Sequence, residues 1–462
     1  MSTASAPTST RAPYRVPFAV PELPFEEAVV RAADTGTIPG DAGPLLETVV
    51  EMLDELERPD AHMDCIQVAG TNGKTSTARF CAAALAGEGL RCALYTSPQL
   101  VRYPERMEVD GAPIADAAFA HGVSAALEAG RRVNARRAAA GEDTYTITPF
   151  DLLTVAALVA FAEEAVDVAV LEVGLGGRWD ATSATDPVAV AVTGIGLDHM
   201  RILGSTLAEI AGEKAAIIKP GRAVVLGEGT HEPSVEAVMA ARCREAGAAP
   251  IVVSHEVLHI PAHLGDELRI RVPGTHAAYE VGAPKPAYQG QNIACAVLLA
   301  EAYLGRALDA ASLAARIASC PTPGRFDVLR RDPLLLVDAC HNPQSCENFV
   351  ASLDELAPAR EGRPTALIAA LSDKDVAGIL RVLAPAFPAF AVTATASDRA
   401  LPADELARLL REELAREGRA DAEVSVHPTV AAALDAFAGA GRPLVAAGTI
   451  TLAGEVAGLV RG

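Results

Sequence analysis

Aromatic side chains are scarce in this chain: 4% of 462 residues, with a single tryptophan, Trp179. A core with so few rings has to be aliphatic and alanine-rich, and half the residues are apolar, enough for a large one. Positive charge is scarce too. Lys and Arg number 39 against 59 Asp and Glu, a formal net charge of −20. That argues against nonspecific binding to nucleic acid or anionic membrane, which reward a basic surface. No uninterrupted apolar span reaches the ~20 residues a membrane helix needs. The first stretch is rich in Ser, Thr, Ala and Pro and lacks a signal peptide's apolar segment. None of the eight cysteines forms a C-x-x-C pair, and most sit in apolar runs. They read as buried reduced thiols, not a disulfide framework. No internal repeat is present. The expectation is a cytoplasmic protein with a disordered tail over residues 1–22.

What is present is punctuation of a particular kind. The apolar run Cys65-Ile66-Gln67-Val68-Ala69 reads as a buried strand. Gly70, Thr71, Asn72, Gly73, Lys74, Thr75 and Ser76 follow, then a helix-compatible stretch from Ala78 to Leu85. Strand, glycine loop, lysine, hydroxyl, helix is the order of a phosphate-binding loop, although this loop is shorter than the GxxxxGK[ST] spacing. Its glycines let backbone N–H groups converge on an anion, and the helix N-terminus adds unpaired donors. Lys74 supplies a charge for the outer phosphates, and Thr75 or Ser76 an oxygen for Mg²⁺.

Beyond this unit, apolar strands alternate with helices. Strands are predicted at 166–173, 188–194, 223–226 and 250–253, and a helix over 207–218. A Gly/Pro-rich stretch at 261–290 predicts a small antiparallel insertion. Prolines and a glycine at 319–324 suit a linker. After it, strands near 334–338, 365–370, 389–395, 423–427 and 444–447 alternate with helices, including an amphipathic one over Glu405–Arg416. Repeated βα units imply an α/β fold with mostly parallel sheets. The expected division is a domain over 23–320 carrying the phosphate loop and a second over 321–462, with a cleft between them.

Two further strands end in acids or imidazole. Glu172 closes the run Asp167–Leu171, a position from which a carboxylate reaches nucleotide-bound Mg²⁺. Asp198 and His199 follow the second run, and beside the phosphate loop His199 is a candidate metal ligand, although Mg²⁺ prefers oxygen. Lys214, among small and apolar neighbours, reads from the residues alone as an ordinary helix lysine. Gln289–Asn292, Pro323–Phe326 and Val337–Pro343 read singly as loops with capping residues. The last is a strand end that presents Asp338, His341 and Asn342, where open α/β sheets place ligand groups.

Together and in this order, these segments resemble the folylpolyglutamate synthases, often bifunctional with dihydrofolate synthase, of the Mur ligase superfamily. The resemblance runs from about residue 25 to the C-terminus. It rests on GTNGKTST, TSPQL, ERMEVDG, LEVGLGGRWDAT, GIGLDHM, GEKAAIIKPG, PGRFDV, DACHNP, LSDKD and AGTITLAGEV. It implies a Mur-ligase-like ATPase domain followed by a smaller Rossmann-like α/β domain. It also implies ATP-dependent addition of L-glutamate to a pteroyl carboxylate through an acyl phosphate. By position it implies nucleotide contacts at Asn292, Arg325 and Asp338, and two Mg²⁺ sites drawing on Thr75, Ser76, Glu172, His199 and Lys214. Lys214 is the implied carbamylated lysine. His341 falls at the glutamate and γ-phosphate site, and Ser97, Gln99 and Asp151 fall near the substrate. The pattern departs at Gln99, where the family has histidine; at Asp151, where it has glutamate; at Tyr288; and at Ala339-Cys340. The implied partners are small molecules, and the implied state is a monomer. Two other readings stand beside it: a paralogous ligase for a non-folate acid, and a nucleotide-binding regulator without turnover.

Overall fold

The computed structural model describes residues 13–33, 45–261, 264 and 266–461. Of the expected tail, residues 1–12 lie outside the described residues. Residues 13–22 run as a packed strap, not a free tail. Tyr14 is buried there, donating its hydroxyl to the Leu56 carbonyl at 2.5 Å.

An eight-stranded sheet carries the first part of the chain, in the order β4-β3-β2-β5-β1-β6-β7-β8. Its strands are β1 (Asp64–Ala69), β2 (Cys92–Tyr95), β3 (Met107–Val109), β4 (Ala112–Pro113), β5 (Val168–Glu172), β6 (Ala189–Gly194), β7 (Ala223–Gly229) and β8 (Ile251–Val252). Only the β2-β3 and β3-β4 pairs are antiparallel. β1 lies between β5 and β6, with Val68 beside Glu172 and Ala69 beside Val192. The parallel strands are buried on both faces, which is why they read as unbroken apolar runs.

Helices cover both faces: α1 (Phe25–Ala33), α2 (Leu46–Glu55), α3 (Lys74–Gly87), α4 (Asp116–Ala140), α5 (Pro149–Glu163), α6 (Met200–Leu203), α7 (Leu207–Ala215), α8 (Pro233–Ala246), α9 (Gln289–Leu304) and α10 (Ala310–Ser319). α9 is apolar nearly all round and buried between α3 and the three-stranded antiparallel sheet of β9 (Glu256–His259), β10 (Leu268–Pro273) and β11 (Ala278–Ala283). That sheet is the small insertion expected over 261–290, and it begins slightly earlier.

A separate six-stranded sheet holds the rest: β12 (Asp327–Arg331), β13 (Leu334–Val337), β14 (Thr365–Ile368), β15 (Phe390–Val392), β16 (Val424–Val426) and β17 (Leu444–Ala447), in the order β12-β13-β17-β14-β15-β16. It is parallel except for the β12 edge. Around it lie α11 (Pro343–Leu356), α12 (Val376–Leu383), α13 (Ala403–Arg416), α14 (Val430–Gly439) and α15 (Ile450–Arg461). Its two apolar clusters are distinct from those of the first sheet. All eight cysteines are buried and none forms a disulfide. No described helix is long and apolar enough to cross a membrane.

Candidate functional site

The loop from β1 to α3 is built around glycines that no other residue could replace. Gly73 caps α3 at φ +82°, a left-handed conformation that costs glycine little. A Cβ there would lie 2.2 Å from Asn292 Oδ1. A Cβ on Gly70 would lie 2.0 Å from Thr193 Oγ1. The two neighbouring strands brace the loop. From β6, the Thr193 hydroxyl donates to the Asn72 carbonyl at 2.6 Å, and Thr71 Oγ1 accepts from Gly196 N at 2.9 Å. From α9, Gln289 Nε2 donates to Ser76 Oγ at 3.2 Å, and Asn292 Nδ2 donates to Gln289 Oε1 at 2.9 Å. Sequence reasoning missed Thr193 and Gln289 as supports. Their only signal was position: one ends the strand beside β1, the other opens a helix far along the chain.

Lys74 folds its ammonium back over the loop, donating to the Gly70 carbonyl at 3.0 Å and the Thr71 carbonyl at 3.3 Å. Glu172, at the end of β5, is buried. Its Oε1 accepts from Thr75 Oγ1 at 2.7 Å and its Oε2 from Ser97 N at 3.1 Å. Burial pushes this carboxyl above its ordinary range, and Lys74, the two donors and Arg325 oppose that. Lys214 is 3% exposed on the last turn of α7, and its amine has no hydrogen-bond partner among the described residues. Burial, then repulsion from Lys74, pushes its amine down to about 8, against the pull of Asp198 and Asp180. His199 is more open to solvent than this group: its side chain is 56% exposed, at φ +47°, with Nε2 3.7 Å from Asp198.

The second sheet contributes from the opposite side. Asp338 follows β13 and accepts from Phe326 N and Cys340 N, both at 2.9 Å. Burial pushes its carboxyl up to about 6, opposed by Arg325 and the two amides. Arg325, on the turn before β12, is half-buried, and its charge reaches Glu172, Asp338 and His341. Its Nη1 donates to the Gly324 carbonyl at 3.1 Å. His341 Nδ1 lies 2.9 Å from the Ala339 carbonyl. A carbonyl only accepts, so Nδ1 carries the proton and Nε2 is left with a lone pair. Burial lowers the imidazole's pKa, opposed by the bond to Ala339 and helped by Lys374 and Arg325, which favours the neutral ring.

The expected substrate residues have local tasks. Asp151 forms a capping box with Thr148 at the start of α5, accepting from Thr148 N at 3.0 Å. Gln99 Oε1 accepts from Arg106 Nε at 2.5 Å. Ser97 gives its N–H to Glu172. Tyr288 precedes α9 and is 38% exposed.

Among the described residues no three His, Cys, Asp or Glu side chains converge on one point. The donors near the loop are instead a buried carboxylate, hydroxyls and an unpartnered lysine, a mainly oxygen set that fits a hard cation.

Residues 68–230 match the family model of the Mur ligase middle domain, and residues 324–450 that of the Mur ligase glutamate ligase domain. The chain is 34% identical over 382 residues to a dihydrofolate synthase/folylpolyglutamate synthase of Mycobacterium tuberculosis, covering 79% of this chain and 77% of that protein. It is 32% identical to folylpolyglutamate synthase of Lacticaseibacillus casei, covering 77% and 82%. Its fold is similar to M. tuberculosis folylpolyglutamate synthase complexed with ADP (TM-score 0.79, 30% identity, 94% and 98% covered). It is also similar to E. coli FolC in complex with DHPP and ADP (TM-score 0.74, 26% identity, 95% and 98% covered).

Proposed function

The chain belongs to the folylpolyglutamate synthase/dihydrofolate synthase family of Mur ligases, and on that footing we propose how its residues divide the work of joining L-glutamate to a folate-type carboxylate at the cost of ATP. The observation that carries the reading is the seam. Lys74 and Glu172 belong to the first sheet and Arg325, Asp338 and His341 to the second; Ser97 N donates to Glu172, Leu100 three residues on lies against Gly324 beside Arg325, and the Arg325 charge acts on Glu172 and Asp338. The two expected domains, 23–320 and 321–462, correspond in this reading to the two sheets.

ATP binds with its phosphates on the β1-α3 loop, where amide donors, the α3 dipole and Lys74 hold them. Asn292 and Asp338 serve the nucleoside, and Arg325 the phosphates. The substrate carboxylate attacks the γ-phosphorus, and ADP leaves. Carboxylate and triphosphate repel each other, so Lys74 and Arg325 are needed to bring them within reach, and positioning then supplies most of the catalysis. The amine of L-glutamate next attacks the acyl carbon and phosphate leaves. That amine must first lose a proton, and His341, whose Nε2 carries the lone pair, is the residue to which this reading gives that role. Thr75, Ser76, Glu172 and His199 are the proposed Mg²⁺ donors, and the metal would neutralise charge on the phosphates.

Lys214 is proposed to be carbamylated: its amine adds CO₂ and releases one proton, turning a cation into an anionic oxygen donor. Its burial, its lowered pKa and its lack of a partner support this. Lys214→Ala should be inactive and recover partly with acetate. In ¹³CO₂-equilibrated enzyme the carbamate carbon should give an NMR signal that this variant lacks. An identical spectrum for both would refute the modification.

The activity is tested by following phosphate release and product mass with ATP and L-glutamate, using tetrahydrofolate and then dihydropteroate. Ligation of a reduced pteroylglutamate is expected, and of dihydropteroate as well. ATP binding with no ligation of either would favour the non-folate paralogue. Gln99, held by Arg106 where the family has histidine, would then be the first position to revert.

A further inference from the structure

The C-terminal motif AGTITLAGEV takes no part in the chemistry above, yet it makes a close contact across the seam. α15 turns Gly454 toward the loop after β2. A Cβ on Gly454 would lie 2.3 Å from the Leu100 carbonyl oxygen and 2.9 Å from its carbon. Gly454 is buried in a helix and its φ is not positive. Backbone conformation therefore does not ask for glycine here, and helix propensity disfavours it. Only the space does.

The loop that Gly454 meets has little freedom to retreat. The Glu105 carboxylate accepts from the backbone N–H groups of Leu100, Val101 and Arg102, at 2.9, 3.1 and 2.9 Å. At its other end, Ser97 N donates to Glu172. The Leu100 side chain lies against Gly324, whose Cβ would be 3.1 Å from Leu100 Cδ2, and Arg325 follows directly. One short loop thus touches the carboxylate beside the phosphate loop, the turn that carries Arg325, and α15.

We infer that Gly454 is a positioning residue: its missing side chain sets how closely the sheet that carries Arg325 and His341 approaches Lys74 and Glu172. This rests on the ligase reading above. A first carbon at 454 has a backbone carbonyl in its way, so the two sheets have to part, and both chemical steps span the gap. Gly458, one turn on, is the built-in control. Its Cβ would lie 3.7 and 3.8 Å from the Val101 methyls, ordinary contact.

The experiment compares wild type, Gly454→Ala, Gly454→Ser, Gly458→Ala and Leu100→Ala by steady-state ligation and thermal melts. Wild type that does not ligate defeats the ligase reading itself, apart from this inference. Given ligation, Gly454→Ala should keep the wild-type melting profile and lose about 10–100-fold in kcat, as misplaced reacting groups do. Its KM for L-glutamate should stay within about threefold, because no substrate contact is removed. Gly454→Ser should match Gly454→Ala within about threefold, since the first carbon does the damage. Gly458→Ala should keep the wild-type kcat. Wild-type turnover in folded Gly454→Ala, or an equal loss at 454 and 458, would overturn the inference. Should Gly454→Ala not fold, Leu100→Ala decides. A lowered kcat with an unchanged KM supports the coupling of this loop to Arg325, and wild-type turnover overturns it.

Discussion

Lys74 has no packing duty: its ammonium rests on two loop carbonyls, and its charge acts on Glu172 and Lys214. Lys74→Ala should therefore fold normally and lose at least ~10²–10³-fold in kcat, the usual cost of removing one preorganised charge from a developing anion. A thermal melt beside a ligation assay checks both halves. Asp338 gives a pH dependence. Its folded-state pKa of about 6 lies above the ordinary carboxylate value. The charged form thus costs stability, in full above about pH 6, and that cost is relieved progressively as pH falls from about 6 to the ordinary value of 3.8. Nucleotide binding should run the other way. Protonation removes the acceptor charge, so ATP affinity should fall as pH drops through about 6, and Asp338→Asn should flatten that profile in calorimetric titrations. Not every residue role was legible in the sequence. The phosphate loop was, because its parts are consecutive. Lys214 was not: next to Ala215 and Ala216 it looks like any helix lysine, and its burial comes from packing of α7 under the 174–177 loop, where a Cβ on Gly177 would lie 3.1 Å from the Lys214 carbonyl.

Short elements depend on single side chains. The turn from β10 to β11 is held by Glu301 of α9, fully buried. Its carboxylate accepts from Thr275 N, His276 N and Ala277 N and from the Tyr279 hydroxyl, at 2.6–3.2 Å. Glu301→Ala leaves three backbone donors and a hydroxyl without their acceptor. Thr275 and His276 are exposed and can turn to water, whereas the Tyr279 hydroxyl is buried, so a loss of about 1–3 kcal/mol is expected in urea unfolding. Glu301→Gln, which keeps one carbonyl acceptor, should lose less. The periodicity that announced α13 survives almost unchanged, because its stripe of Leu406, Leu410 and Leu414 is buried as a 3.6-residue pattern demands. The strap over 13–22 was misread as a tail because its Pro-rich composition looks disordered. Burial of Tyr14 and its bond to Leu56, 42 residues away, decide otherwise.

At the scale of the molecule, two sheets with separate cores meet at the seam to which the proposed chemistry is assigned. Separate cores predict that urea unfolding will not be two-state but will show two transitions. A non-hydrolysable ATP analogue, held from both sides of the seam, should raise both midpoints, since it binds only the native arrangement of each. A shift of one transition alone would place the nucleotide on one sheet only. By itself the sequence determined the alternation of strands and helices, the phosphate loop and the acids at strand ends. These are local patterns, set by side-chain period, turn chemistry and capping within a few residues. Only the tertiary structure decided which strand ends lie together. β5 and β6 flank β1 although they come about 100 residues later, and that order puts Glu172 and Thr193 on either side of the loop. It also decided that Gly454 meets Leu100 across more than 350 residues of chain. Contacts at that separation depend on how layers pack, and no window of sequence contains both partners.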